Sequence, residues 1–286
     1  MLQNENAGRT VFITGCSTGI GHCVAHGLKK RGYRVIASAR QVGDVERLRQ
    51  EGLECLRLDL DQPESIHRAI QALADRCEGK IYGLFNNAGF GQPGAVEDLS
   101  REALRAQFET NVFGTLELTN RILPWMRQAG EGRIIQNSSV LGFVSLAYRG
   151  AYNASKYALE GLYDTLRLEL AGTGIHAVLI EPGPIESRFR ANAFAAYKKH
   201  IDVAHSVHRA AYLAMESRLL KDGPAVPFTL PPEAVLDKVT RALECKRPTP
   251  RYYVTVPTWL FGGLKRVLSS RALDRVLLRI SGDEQP

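Results

Sequence analysis

The sequence predicts an α/β fold: a doubly wound parallel sheet of about seven strands, with helices on both faces. Three observations predict it. Runs of β-branched and aromatic residues alternate with segments of helical period, the pattern of βαβ units. The first run enters a glycine-rich turn that opens into a helix. The small and polar motifs fall at the carboxyl ends of the predicted strands, where open parallel sheets bind ligands. Asn111, inside a helix, is the exception.

Thr10–Thr14 is the first buried strand. It leads into Gly15-Cys16-Ser17-Thr18-Gly19-Ile20-Gly21 and a helix through Val24 and Leu28, ending near Gly32. Strand, glycine turn and helix suit a dinucleotide. Glycines let the backbone approach a pyrophosphate, and a helix amino terminus offers it free N–H groups. The spacing is GxxxGxG rather than the standard GxGxxG. Arg34–Ala39 is the second strand. Where an NAD-type site has an acid for the ribose 2′-OH, Ala39 and Arg40 stand here. A guanidinium there suits a 2′-phosphate and points to NADP(H); a solvated loop arginine is the alternative.

Asp44–Gln50 reads as a helix and Leu53–Leu58 as the third strand. It ends at Asp59, which either hydrogen-bonds an adenine or caps the helix beginning near Pro63. Ile81–Phe85 is the fourth strand, followed by Asn86-Asn87-Ala88-Gly89, a turn of small residues and amides. Arg101–Arg127 is a long amphipathic helix interrupted at Asn111 and Gly114. Arg133–Asn137 is the fifth strand and runs into Ser138 and Ser139. A helix then extends from about Tyr152 to Ala171. Tyr152 and Lys156 stand four residues apart on one face of it. A phenol has a pKa of about 10, and a nearby ammonium favours the phenolate, moving the group toward a range useful for proton transfer.

His176–Ile180 is the sixth strand, ending in Glu181-Pro182-Gly183-Pro184. Ser187–Gly223 breaks the alternation as a helical insertion, a candidate lid. Its His200, His205 and His208 lack metal spacing and read as surface histidines; no metal site is expected. Pro231–Cys245 is a further helix and Tyr252–Val256 the seventh strand. Trp259–Ile280 places apolar residues at helical intervals, with Arg271, Arg275 and Arg279 on another face.

The composition agrees with one large domain, residues 1–286, with a core at 9–183, a lid at 187–230 and a basic amphipathic segment at 258–282. Of 286 residues, 44% are hydrophobic and 23% charged, an ordinary globular mix. The net charge of +7 sits mostly in the tail: from Arg241 on, nine Lys or Arg face four Asp or Glu. No basic stripe is interleaved with aromatic residues, so nucleic acid is not an expected partner. The five cysteines are scattered without a CxxC motif, which suits reduced thiols. Met1–Gly8 is polar, without the apolar run of a signal peptide, and a cytoplasmic location is expected. Tyr252–Leu264 is uncharged but short of the roughly 18 apolar residues of a membrane span.

The glycine turn, Asn-Asn-Ala-Gly, the mid-helix Asn, Ser-Ser, Tyr-xxx-Lys and Pro-Gly, in this order, resemble the short-chain dehydrogenase/reductase family, classical type, with its Rossmann fold. The resemblance spans roughly Arg9 to Gly183. Gly15-Cys16-Ser17, Arg40, Asn86 to Gly91 and Glu181 to Pro184 are similar to the branch of hydroxysteroid and retinol dehydrogenases and their bacterial relatives. The resemblance implies that Tyr152 is the general acid and base, and that Lys156 lowers its pKa and binds the nicotinamide ribose. Ser139 would hold the substrate oxygen, with Ser138 the competing choice, and Asn111 a proton-relay water. The cofactor would lie on Gly15, Ser17, Thr18, Gly19, Ile20, Arg40, Asp59, Asn87, Ala88, Gly89, Tyr152, Lys156, Pro182, Gly183, Ile185 and Ser187. Many members have threonine where Ser187 stands.

Phe90, Val140, Leu141, Phe143, Val144 and Ile185 are expected to line the nicotinamide end of the cleft. With the lid they suggest a lipophilic ketone or aldehyde, or its alcohol, and few charged anchors. Two rivals stand beside this reading: an NAD-linked dehydrogenase working oxidatively, and a dinucleotide-sensing protein without catalysis. The family resemblance also implies a homo-oligomer, formed through the two long helices. The C-terminal segment is a candidate for peripheral membrane contact, for packing on the cleft, or for meeting a second subunit.

Overall fold

A computed structural model describes residues 8–221, 223 and 226–282. Most of the polar amino terminus, 1–7, and lid positions 222, 224 and 225 lie outside the described residues. The chain builds strands β1 (Thr10–Ile13), β2 (Arg34–Ala39), β3 (Glu54–Arg57), β4 (Gly83–Asn86), β5 (Gly132–Asn137), β6 (Ile175–Glu181) and β7 (Arg251–Tyr253). They form one parallel sheet in the order β3-β2-β1-β4-β5-β6-β7.

Side-chain alternation divides the sheet between two cores. Val11, Ile13, Val35, Ile135, Val178 and Ile180 face α1 (Gly19–Lys30), α2 (Val42–Gln50) and α9 (Glu233–Glu244). Phe12, Ile36, Leu84, Ile134, Ala177 and Leu179 face α3 (Pro63–Cys77), α5 (Gly114–Ala129) and α6 (Gly150–Glu169). These strand residues are buried on both sides. At about 25 cal/mol per Å² of apolar area removed from water, this double burial is the main favourable contribution to the fold.

The helix expected over Arg101–Arg127 is three pieces. α4 (Arg101–Phe108) is capped by Ser100, whose side chain accepts the Ala103 N–H. A π-helical turn follows at Glu109–Phe113, and α5 starts at Gly114. A Cβ on Gly114 would stand 1.8 Å from the Leu60 carbonyl oxygen, so glycine there permits a close approach of helix to loop. The π turn, a feature frequent at functional sites, carries Asn111.

The insertion after β6 forms α7 (Phe189–His200) and α8 (Arg209–Leu220), which pack on each other around Tyr197, Tyr212 and Met215. The last strand is shorter and earlier than expected. Thr255 becomes the N-cap of α10 (Val256–Val267), with Pro257 in the first turn, a position that suits proline. The segment read as one helix over Trp259–Ile280 breaks at Leu268 and Ser269, both extended, before α11 (Ser270–Ile280).

Candidate active site

A cleft of about 1080 Å³ opens at the carboxyl ends of β1 and β4. This is the switch point of the sheet, where strand order reverses. Thr14 ties the two strand ends together: its hydroxyl oxygen accepts the Asn87 and Ala88 N–H groups at 3.0 and 2.9 Å. Asn87 Nδ2 donates back to the Thr14 and Gly15 carbonyls at 3.0 and 3.1 Å.

The glycine turn is shaped by close approach. Gly15 lies at φ +70°, and a Cβ there would stand 2.8 Å from Ala88 Cα. Gly19 lies at φ +59° against Ser187, and a Cβ on Gly21 would stand 2.2 Å from the Gly15 carbonyl oxygen. No side-chain cap bond comes from Thr18 at the start of α1, and no acid occupies the first turn. The first N–H groups are therefore open to an anion, and the turn fits a pyrophosphate.

Arg40 is exposed at the cleft mouth, directly after buried Ala39. Asp59 lines the cleft, and the N-cap of α3 is Gln62. The helix-cap alternative for the Asp59 side chain therefore does not hold.

At the other end, α6 raises Tyr152 and Lys156 from one face. Lys156 Nζ stands 5.6 Å from the Tyr152 ring centre and donates to the Asn137 carbonyl at 2.7 Å. Burial pushes the Lys156 pKa down to about 8, against the Glu160 charge. Burial also pushes the Tyr152 phenol up to about 12, a hydrogen bond with the Ser139 side chain opposing it. The expected lowering of the phenol is thus not found. Desolvation outweighs the influences that favour the phenolate. The two serines separate by direction. Ser139 meets Tyr152 and also accepts the Leu141 N–H at 3.1 Å. The Ser138 hydroxyl turns inward and donates to Glu160.

Asn111 is buried behind this wall. Its Oδ1 accepts the Phe90 N–H at 3.1 Å, and its Nδ2 donates to the Phe90 carbonyl and to Ser155 Oγ at 3.0 and 3.1 Å. Gly19, half-buried, is not among the residues that line the cleft. The other residues expected at the site, from Gly15 through Ser187, line the one cleft.

Four findings depart from the sequence reading. Phe143 and Val144 leave the cleft and pack with Phe261, Leu264, Leu273 and Leu277. The C-terminal helices therefore lie against the loop after β5, and Tyr152 borders that cluster. His200 is half-buried, with Nδ1 2.7 Å from Gln92 Oε1, because α7 folds onto the loop after β4. Arg188, Arg190, Lys199 and Arg218 border the outer cleft, so charge is richer there than expected. Thr14, Asn137 and Phe189 were missed as site residues. Phe189 meets the Tyr152 ring edge-on, with centres 5.3 Å apart. Only Thr14 and Asn137 carried a signal, as polar residues ending strands beside motifs.

This cleft defines a dinucleotide-binding α/β protein with a tyrosine, a lysine and a serine at its inner end. Residues 9–198 match the family model described as short chain dehydrogenase, and the chain belongs to that family of oxidoreductases. It is similar to the "Uncharacterized oxidoreductase YbbO" of Escherichia coli (strain K12), 45% identical over 97% of each chain. It is also similar to human "17-beta-hydroxysteroid dehydrogenase type 1", 32% identical over 86% of this chain and 77% of the other. A third relative is the "NADPH-dependent 3-dehydrocapnine reductase" of Ornithobacterium rhinotracheale, 30% identical over 95% of this chain and 96% of the other.

Proposed function

We propose that the protein is an NADP(H)-dependent carbonyl reductase that interconverts a lipophilic ketone or aldehyde and its alcohol. The observation that carries this is the meeting of Tyr152, Ser139 and Lys156 at the inner end of a cleft whose other end fits a dinucleotide. The dinucleotide, when bound, supplies the hydride.

The residues divide the remaining work. Ser139 donates a hydrogen bond to the substrate oxygen and stabilises charge developing there. Tyr152 gives that oxygen a proton; its raised pKa keeps the phenol protonated at neutral pH, the form an acid needs. Lys156, charged below about pH 8, favours the phenolate left behind. Asn111 fixes Phe90 and the turn of α6 that carries Tyr152. Phe90, Val140, Leu141, Leu146, Ile185 and Phe189 offer apolar wall near Tyr152. Arg40 supports the preference for NADP(H), and the name of the capnine relative agrees with it.

The 286 residues act as one unit in this reading, with α7 and α8 as the lid. A second copy docks on the outer faces of the α4–α5 segment and α6, where Phe113 of the π turn and Leu168 of α6 are exposed. The C-terminal helices keep Trp259, Leu260, Leu278 and Ile280 exposed beside Arg271, Arg275 and Arg279, which supports contact with an anionic membrane surface. No described helix is long and apolar enough to cross a membrane.

A panel of apolar and charged carbonyls with NADPH, followed at 340 nm, tests the activity. Turnover of apolar ketones or aldehydes is expected. Turnover of sugar-like substrates alone would refute the substrate class, and none with any carbonyl would refute the activity. Flotation with anionic liposomes, comparing full-length protein with one lacking residues 258–286, tests the membrane contact. Equal flotation would remove that part.

A further inference from the structure

Behind the tyrosine and lysine lies a buried charged group that the proposed chemistry does not use directly. Glu160 sits four residues after Lys156 on α6 and is 6% exposed. Its Oε1 accepts the Ser138 hydroxyl, and its Oε2 accepts Arg251 Nη1. The same nitrogen donates to Glu181 Oε1, and Arg251 Nη2 donates to Asp164 Oδ2 at 2.5 Å. Glu181 is fully buried, and its Oε2 has no partner.

One guanidinium therefore faces three carboxylates. Burial and the Glu160 charge push the Glu181 carboxyl well above the usual carboxylate range. Glu160 has two donors pointed at it, the Ser138 hydroxyl and Arg251 Nη1. The charged and titratable groups around it are Lys156 and Asp164 on α6, Glu181 on β6, and Arg251 and Tyr253 on β7. Arg266 on α10 stands near Tyr253.

The loop after β5 is fastened around this carboxylate. The Ser138 N–H donates to the Ile180 carbonyl and the Val140 N–H to the Pro182 carbonyl, each at 2.8 Å. Ser139 sits between these two ties. A Cβ on Gly142 would stand 2.7 Å from Ser138 Oγ and 2.9 Å from Glu160 Cγ, so the loop closes tightly over the pair.

We propose that Glu160 is a positioning residue for the redox site: it holds Ser138 so that Ser139 faces Tyr152, and it keeps Lys156 charged. This rests on the reading of Tyr152 and Lys156 given above. The sign follows from burial. Desolvation alone drives the Lys156 proton off, and the nearby carboxylate opposes that loss. Removing the carboxylate charge lets Lys156 become neutral at a lower pH, and a neutral amine no longer favours the Tyr152 phenolate.

The test is the pH profile of kcat/KM for NADPH-dependent carbonyl reduction by wild type, Glu160→Gln and Glu160→Asp. NADPH binding by fluorescence and thermal melting accompany it. Glu160→Gln keeps an acceptor for Ser138 but loses the charge. Its alkaline limb is expected about one pH unit or more below that of wild type, and Glu160→Asp is expected to restore it. A uniform loss at every pH with an unmoved limb is what a merely structural clasp gives, and it would overturn the proposal. Should Glu160→Gln not fold, Ser138→Ala carries the test. It is expected to lower kcat about tenfold or more with NADPH affinity kept, and a wild-type kcat would overturn the proposal. Wild-type protein without NADPH-dependent turnover would instead overturn the reading of Tyr152 itself.

Discussion

Replacing Arg40 with serine should weaken NADPH and leave NADH unchanged. The guanidinium follows buried Ala39 at the end of β2 and stands exposed at the cleft mouth. A hydrogen bond between charged groups contributes about 1.5–3 kcal/mol when its partners are fixed. Solvent and salt screen an exposed pair, which leaves about 1–2 kcal/mol. At about 1.4 kcal/mol per factor of ten, that is roughly a 5- to 30-fold rise in Kd for NADPH. Arg57 stands beside Arg40, its Nε donating to the Arg40 carbonyl at 3.3 Å. A second cation at hand keeps the loss partial, and Arg40→Ser with Arg57→Ser should lose more than either alone. Fluorescence titration with both coenzymes reads this directly. Equal weakening of NADPH and NADH, or no change in either, would refute the phosphate contact. Tighter binding of NADH by wild type would overturn the coenzyme assignment.

Two further outcomes are expected. Gly114→Ala places a methyl group on the Leu60 carbonyl. Overpacking of this kind costs about 3 kcal/mol, which lowers the melting temperature by roughly 6–12 °C; an unchanged melt would show that helix and loop part freely there. Lys156 loses its proton near pH 8, so kcat/KM for reduction should be flat below that pH and fall above it. Activity constant to pH 10 would contradict the role given to its charge.

The parts of this protein that were legible in its sequence are local. Gly15 to Gly21 announces a tight turn between strand and helix, because each glycine is required within a few residues of the next. Tyr152 and Lys156 announce a shared face through helical spacing alone. The unbroken apolar run Val11, Phe12 and Ile13 announces a strand buried on both sides. Other features depend on contacts across the chain. Glu160 becomes meaningful only when β7, 91 residues later, brings Arg251 to it. Asn137 becomes a site residue because β5 neighbours β4, which lets its amide reach Asn87 Oδ1 at 3.1 Å. His200 read as a surface residue because its own helix is polar, and the loop holding Gln92 lies far from it in sequence. The tail read as one amphipathic helix because its apolar spacing continues past Leu268, where the backbone turns extended.

Turnover and coenzyme binding by Tyr152→Phe measure the central claim most directly. The variant lacks one hydroxyl, keeps the ring against Phe189, and leaves the glycine turn untouched. Carbonyl reduction should fall by a factor of about a hundred or more, while NADPH binds as tightly as to wild type. Reduction at the wild-type rate would contradict the account.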